Sequence, residues 1–187
     1  MTVEEIFTKT INHILQGIMI HDEFSNYYEF LGLEGYAKCH EYHGMLETKA
    51  YRKLMTYYIT HYNKFIPEPK PTPAEIIPAS WAGYTRQDVD MKTRQSAVKA
   101  GLEKWVAHET QTKTLYQQMY KELITLGEIA AANYFNCLIK DVDEELASVV
   151  KYHLYKQGIG YDMSEIIAEQ KHKYKHYKEK LCKCLDE

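Results

Sequence analysis

The chain of 187 residues carries 23 Lys and Arg against 26 Asp and Glu, a net charge of −3 at pH 7, with 45% hydrophobic and 26% charged residues. That length suits one domain with a full core, and that composition excludes a disordered chain. The slightly acidic balance disfavours a whole-surface nucleic-acid binder, four cysteines are too few for a disulfide framework, and no apolar run reaches the ~18 residues of a membrane span.

A first helix is expected over 3–30, where Phe7, Ile11, Ile14, Ile18, His21, Ser25 and Tyr28 recur at alternating steps of four and three. Gly32 and Gly35 mark a turn. A second helix over 36–64 carries Tyr36, His40, His43, Glu47, Ala50 and Leu54 on one stripe. All five prolines then fall between Pro67 and Pro78, in a connection covering 65–90. A third helix over 91–125 carries Val98, Leu102, Trp105, Glu109, Thr112, Tyr116, Met119 and Leu123. After Gly127, a fourth over 129–157 carries Ala131, Leu138, Val142, Glu145, Val149 and Tyr152. A shorter fifth runs from 164 to 185, with Ser164 as its N-cap. Residues 1–160 are thus read as an all-α four-helix bundle, and 161–187 as a C-terminal helical appendage.

The connection sets the topology. Short turns make the first two helices antiparallel, and likewise the third and fourth. A proline-rich segment rising ~3.1 Å per residue can run the whole ~45 Å of a 30-residue helix. Its simplest use is one long crossover, which starts the third helix at the end where the first two are joined.

Every core stripe then holds a residue that apolar packing would reject: His21 on the first helix, Glu47 on the second, Glu109 on the third and Glu145 on the fourth. Counted at 1.5 Å per residue, each lies ~18–21 Å from the same bundle end, so all four meet at one level. Three acids on one axis repel unless they are protonated, paired or bound to a cation. Carboxylates with an imidazole form a hard, oxygen-rich site suited to iron or manganese, and also to zinc. A stripe misphased by one residue would instead put the acids on the surface.

The segments NYYEFLGLEGYAKCHEYHGMLETKA and WVAHETQTKTLYQQMYKELITLGEIAAANYFNCLIKDVDEEL resemble the ferritin-like superfamily over roughly residues 3–157, with AHE, the L-G-E turn and I-K-D-x-D-E-E as landmarks. The turn leading into YAKCHE is also similar to the Dps-like branch. The resemblance implies a ferritin-like four-helix bundle and an iron centre, di-nuclear or mononuclear. By position it assigns Glu47, Glu109 and Glu145 as ligands, with Asp141 and Glu144 as neighbouring acids of the fourth helix. Two departures stand out. Ala50 occupies the second-helix histidine position, and no Glu stands at the expected place on the first helix, where Leu15, Gln16 or His21 fall. His43, one turn before Glu47, is the available substitute ligand. The centre is therefore either a variant or a degenerate one.

An intact centre implies iron binding with ferroxidase activity, Fe(II) being oxidised by O2 or peroxide for storage or detoxification. A degenerate one implies an inert shell or a DNA- or partner-binding module. Family members assemble as homo-oligomers, often closed shells. The cysteines read as reduced thiols of a cytoplasmic protein, and the acidic N-terminus lacks a signal peptide's charge pattern. Between Gln170 and Lys183 six lysines meet one acid. That run can add phosphate contacts for nucleic acid, or it is a solvated helix face with Ile166, Ile167, Tyr174 and Leu181 docking inward.

Overall fold

The computed structural model describes residues 1–66, 69–74, 76 and 83–185. Part of the proline-rich stretch (67, 68, 75 and 77–82), the side chains of Cys184 and Leu185, and Asp186 with Glu187 lie outside the described residues. The chain forms α1 (Val3–Phe30), α2 (Glu34–Tyr62), a 3-10 turn at Arg86–Asp88, α3 (Met91–Thr125), α4 (Ile129–Gly158) and α5 (Met163–Leu185).

Local chemistry fixes the ends. Thr2 and Glu5 form a reciprocal capping box at the start of α1, with bonds of 2.7 and 3.2 Å. Asp90 accepts from the Thr93 amide at 2.7 Å and starts α3. Asp162, rather than the expected Ser164, caps α5: its Oδ1 accepts from the amides of Ser164 at 2.8 Å and Glu165 at 3.1 Å. Ser164 is a donor in that arrangement and lies inside the helix.

The crossover is visible in its contacts. Ile66 packs at the Phe7 end of the bundle. The Lys70 amide then donates to Asn12 Oδ1 at 2.7 Å, the Ile76 amide to Glu23 Oε2 at 2.7 Å, and Arg86 Nη2 to the Glu29 carbonyl at 2.9 Å. The connection therefore climbs the full length of α1 and delivers α3 to the α1–α2 turn. The N-terminal ammonium meets Glu122 at 3.3 Å, which confirms that α1 and α3 run antiparallel.

Apolar burial divides into two clusters. One, at the α3–α4 turn, contains Phe7, Ile11, Leu54, Tyr58, Met119, Leu123 and Phe135. The other, at the α1–α2 turn, contains Phe24, Tyr28, Tyr36, Val98, Leu102, Val149 and Ile166. A polar belt sits between them. On α1 the buried stripe follows Gly17, His21, Phe24 and Tyr28; the expected Ile18 and Ser25 are half-buried. His21 stays on the stripe in either phase, because a helical face three or four residues wide tolerates that slip.

α5 lies along α2. Its Ile166 and Leu181 are buried, whereas the expected Ile167 is 49% exposed. Its Glu169 accepts from the Tyr36 hydroxyl at 2.5 Å, bonds the Tyr152 hydroxyl, and pairs with the buried Lys156 of α4 at 3.0 Å. Lys173 sits over the Tyr36 and Tyr152 rings, and Lys180 over Tyr42 and Tyr177. Part of the lysine run is thus turned to aromatic packing, while Lys171, Lys175 and Lys183 face solvent. Among the described residues no helix is long and apolar enough to cross a membrane.

Candidate metal centre

The polar belt gathers the residues that the stripes place at one level. His21 on α1, Glu109 on α3 and Glu145 on α4 offer ligand atoms that all lie within 4.8 Å of one another. His21 and Glu109 are buried and Glu145 half-buried. Glu47 on α2 lines the same cavity, about 490 Å³ in volume, with Glu109, Glu145, Thr112 and Tyr116. Asp141 and Glu144 also line it, but they are exposed and stand toward its mouth between α2 and α4. His43 is set apart from the three-atom cluster. Its Nδ1 faces Glu145 Oε1 at 2.7 Å, an ion pair without the alignment of a hydrogen bond.

The electrostatics follow from burial. Desolvation, then repulsion from Glu145, pushes the Glu47 carboxyl up to about 8. Desolvation with Glu145 and Glu47 pushes Glu109 up to about 9. His21 moves the other way: desolvation, reinforced by His40, His43 and His108, holds its imidazole neutral. Burial works against a charge on His43 too, but its bond to Cys39 and its close contact with the Glu145 carboxylate outweigh that and raise the group to about 10. Two of the three acids therefore hold their protons at neutral pH, and the third, Glu145, lies against the His43 imidazolium.

This donor set fits a divalent cation. His21 Nδ1 is engaged with His40 at 2.9 Å, while its Nε2 is buried with no hydrogen-bond partner. A buried imidazole nitrogen without a hydrogen-bond partner, on a ring clustered with two carboxyl groups, is a position that a cation can satisfy. Trp105 Nε1 donates to Glu109 Oε1 at 3.1 Å and orients that carboxyl.

Residues outside the sequence-derived set also shape the belt. His13 Nε2 bonds Thr112 Oγ1 at 2.7 Å and its ring stacks on His108 at 4.9 Å between centroids. Gly17 leaves room for both partners: a Cβ there would stand 3.0 Å from His108 Nε2 and 3.4 Å from the Glu47 carboxyl carbon. A glycine in mid-helix, four residues from His13 and from His21, is the sequence signal for this crowding. Tyr116, buried beside Glu47, Glu109 and Glu145, has its hydroxyl proton held far more firmly than usual by burial and those charges. Tyr28 lies elsewhere, in the cluster at the α1–α2 turn.

No protein-family model and no curated protein matches the chain. Solved structures do. A closed form of the Archaeoglobus fulgidus ferritin, engineered by site-directed mutagenesis, superposes with a TM-score of 0.72 at 15% identity, covering 93% of this chain and 96% of that one. A humanized archaeal ferritin gives 0.73 at 15% identity over 91% and 94%. An open-pore ferritin from the hyperthermophilic archaeon Archaeoglobus fulgidus gives 0.71 at 16% identity over 91% and 93%. At these identities the likeness establishes the fold: the chain is a ferritin-like four-helix bundle with one long crossover and an additional C-terminal helix.

Proposed function

We propose that this protein binds iron as a ferritin-like iron-handling protein, with His21, Glu109 and Glu145 as the central ligands and Glu47 as the adjoining carboxylate. Asp141 and Glu144 stand on the approach from solvent, and His43 holds Glu145. The observation that carries the reading is the His21 imidazole, whose Nε2 is buried without a partner and which offers a ligand atom within 4.8 Å of carboxylates drawn from two other helices.

Iron is the substrate in this reading. Fe(II) enters between α2 and α4 and displaces the carboxyl protons of Glu47 and Glu109, which pass to solvent; each Fe(II) gives up one electron, so that two Fe(II) reduce one O2 with two protons to H2O2, or one H2O2 with two protons to water. Anionic oxygen ligands favour the harder Fe(III) product, and Tyr116 supplies a hydroxyl beside the acids. The molecule assembles as a homo-oligomer in the cytoplasm. Optical titration of the apo-protein with Fe(II) under O2 tests this: saturable oxidation is expected, and its absence in wild type, with binding of Fe(II) retained, would leave storage without ferroxidase activity.

A second reading is an inert ferritin-like protein whose acids stay protonated or pair with histidine. The raised carboxyls of Glu47 and Glu109 and the His43–Glu145 pair favour it. Metal content after chelator-free purification separates the two: a stoichiometric transition metal sustains the first, a metal-free protein that binds none on addition sustains the second.

A further inference from the structure

His21 is the sole imidazole in the three-ligand group, and a neutral imidazole can ligate only through the nitrogen that lacks a proton. Which nitrogen that is depends on what the other one meets. His21 Nδ1 lies 2.9 Å from His40 Nδ1, with both rings buried and neutral. Two neutral rings in this contact share one proton. If His21 donates, its Nε2 is bare and free to ligate. If His40 donates, His21 carries its proton on Nε2 and cannot bind a cation.

Given the cation site proposed above, on which this rests, we propose that His40 is a positioning residue: it accepts the Nδ1 proton of His21 and so presents the His21 Nε2 lone pair to a divalent cation at Glu109 and Glu145. Among the described residues no other group is bonded to His21 Nδ1. His43, with its ring 5.6 Å away, has its Nδ1 committed to Glu145. His40 itself is fixed by packing, its ring 4.7 Å from both Phe24 and Trp105 and 5.5 Å from Tyr28. A metal-bound histidine usually gives its second N–H to a carboxylate, carbonyl or water; here a second imidazole takes that place. This arrangement adds no charge behind the ligand, so the negative charge of the site stays with the glutamates.

The test uses the full chain with 15N-labelled histidine, wild type beside His40→Phe and His40→Gln, with far-UV circular dichroism confirming the fold of each. Long-range 1H–15N spectra of the metal-free protein read the His21 tautomer directly. The expectation is a protonated Nδ1 and a bare Nε2 in wild type, loss of that single tautomer in His40→Phe, and its return in His40→Gln, whose side-chain carbonyl accepts in the same way. Titration with Co(II) alone should show affinity roughly 10–100-fold weaker in His40→Phe and near wild type in His40→Gln. A proton on His21 Nε2 in wild type, or Co(II) affinity unchanged in a folded His40→Phe, overturns the role of His40 and leaves the cation site standing. The expected tautomer pattern in a protein that binds no Co(II) does the reverse. Should His40→Phe fail to fold, the wild-type tautomer and the His40→Gln affinity still decide.

Discussion

In the cation-free protein, Glu47 and Glu109 keep their protons up to about 8 and about 9, against an ordinary 4.5. A raised folded value means that the native state holds protons the unfolded chain has released. The associated stability is fully present below about pH 4.5 and is lost as pH rises through about 8 to 9. His13 and His108 act in the opposite sense. Burial lowers both from 6.5 to about 4, so their contribution is present above pH 6.5 and lost as pH falls through about 4. Metal-free protein should therefore be most stable on the acid side of neutrality, and thermal unfolding from pH 4 to 9 in chelator measures that. A cation needs both acids ionised, so the rise in midpoint on adding Mn(II) should grow with pH. A flat profile in chelator would refute the placing of these acids. Glu109→Gln removes the larger of the two shifts and keeps an acceptor for Trp105. It should stabilise the metal-free protein at pH 8 by up to about 5 kcal/mol, while abolishing the Mn(II) response. The meeting of His21, Glu109 and Glu145 was legible in the sequence, because helix rise and one crossover place all three at one height. The stripe carried His40 as well, but the inward turn of His13 and His108 was not legible. Residues beside a stripe change face with a phase slip of a single residue, and only side-chain packing resolves which of them point inward.

Among the elements, α5 is the one whose seat depends on a single carboxylate. Glu169 is held ionised below its ordinary range: burial opposes this, but bonds from Tyr152 and Tyr36, the charge of Lys173 and the bond from Lys156 outweigh it. Glu169→Ala strands Lys156, which is 1% exposed, as an unpaired buried ammonium. The expected cost is about 3 kcal/mol, with α5 released and new proteolytic cleavage near Gly160; unchanged resistance to protease would show that the apolar contacts of Ile166 and Leu181 suffice. The α1–α3 contact is equally specific. A Cβ on Gly101 would fall 1.8 Å from the Tyr28 hydroxyl oxygen. Gly101→Ala should destabilise by about 1–3 kcal/mol, and adding Tyr28→Phe should recover part of it, since that hydroxyl is buried without a partner and its loss costs little. Calorimetry of the four proteins in that cycle measures the coupling. Helix limits were readable from glycine and proline, since these residues act through backbone geometry alone. The placement of α5 was not, because Glu169 reads as one more surface acid until Tyr36, Tyr152 and Lys156 are brought around it.

For the whole molecule, the crossover decides more than connectivity. By returning the chain to the α1–α2 turn, it sets α3 antiparallel to α1 and brings Glu109 level with His21; a short second connection would have sent α3 back the other way and parted them. The bundle so formed leaves apolar side chains outside. Ile124, Leu126 and Ile129 are 43%, 44% and 55% exposed around the α3–α4 turn, and Leu154 and Tyr155 are 58% and 53% exposed near the far end of α4. Single exposed apolar residues are ordinary, but groups at both ends of one helix make surface that contact between copies would cover. The proposed homo-oligomer places these ends against neighbouring subunits. Sedimentation equilibrium of wild type should give a mass several times that of one chain, and Leu126→Glu combined with Ile129→Glu should lower it. That variant leaves the site untouched, so its helical circular dichroism and cation stoichiometry should match wild type. A wild type that sediments as a single chain at micromolar concentration would remove the assembly while leaving the bundle and its polar belt intact. A variant that dissociates and also loses its cation would show instead that a neighbouring copy completes the site.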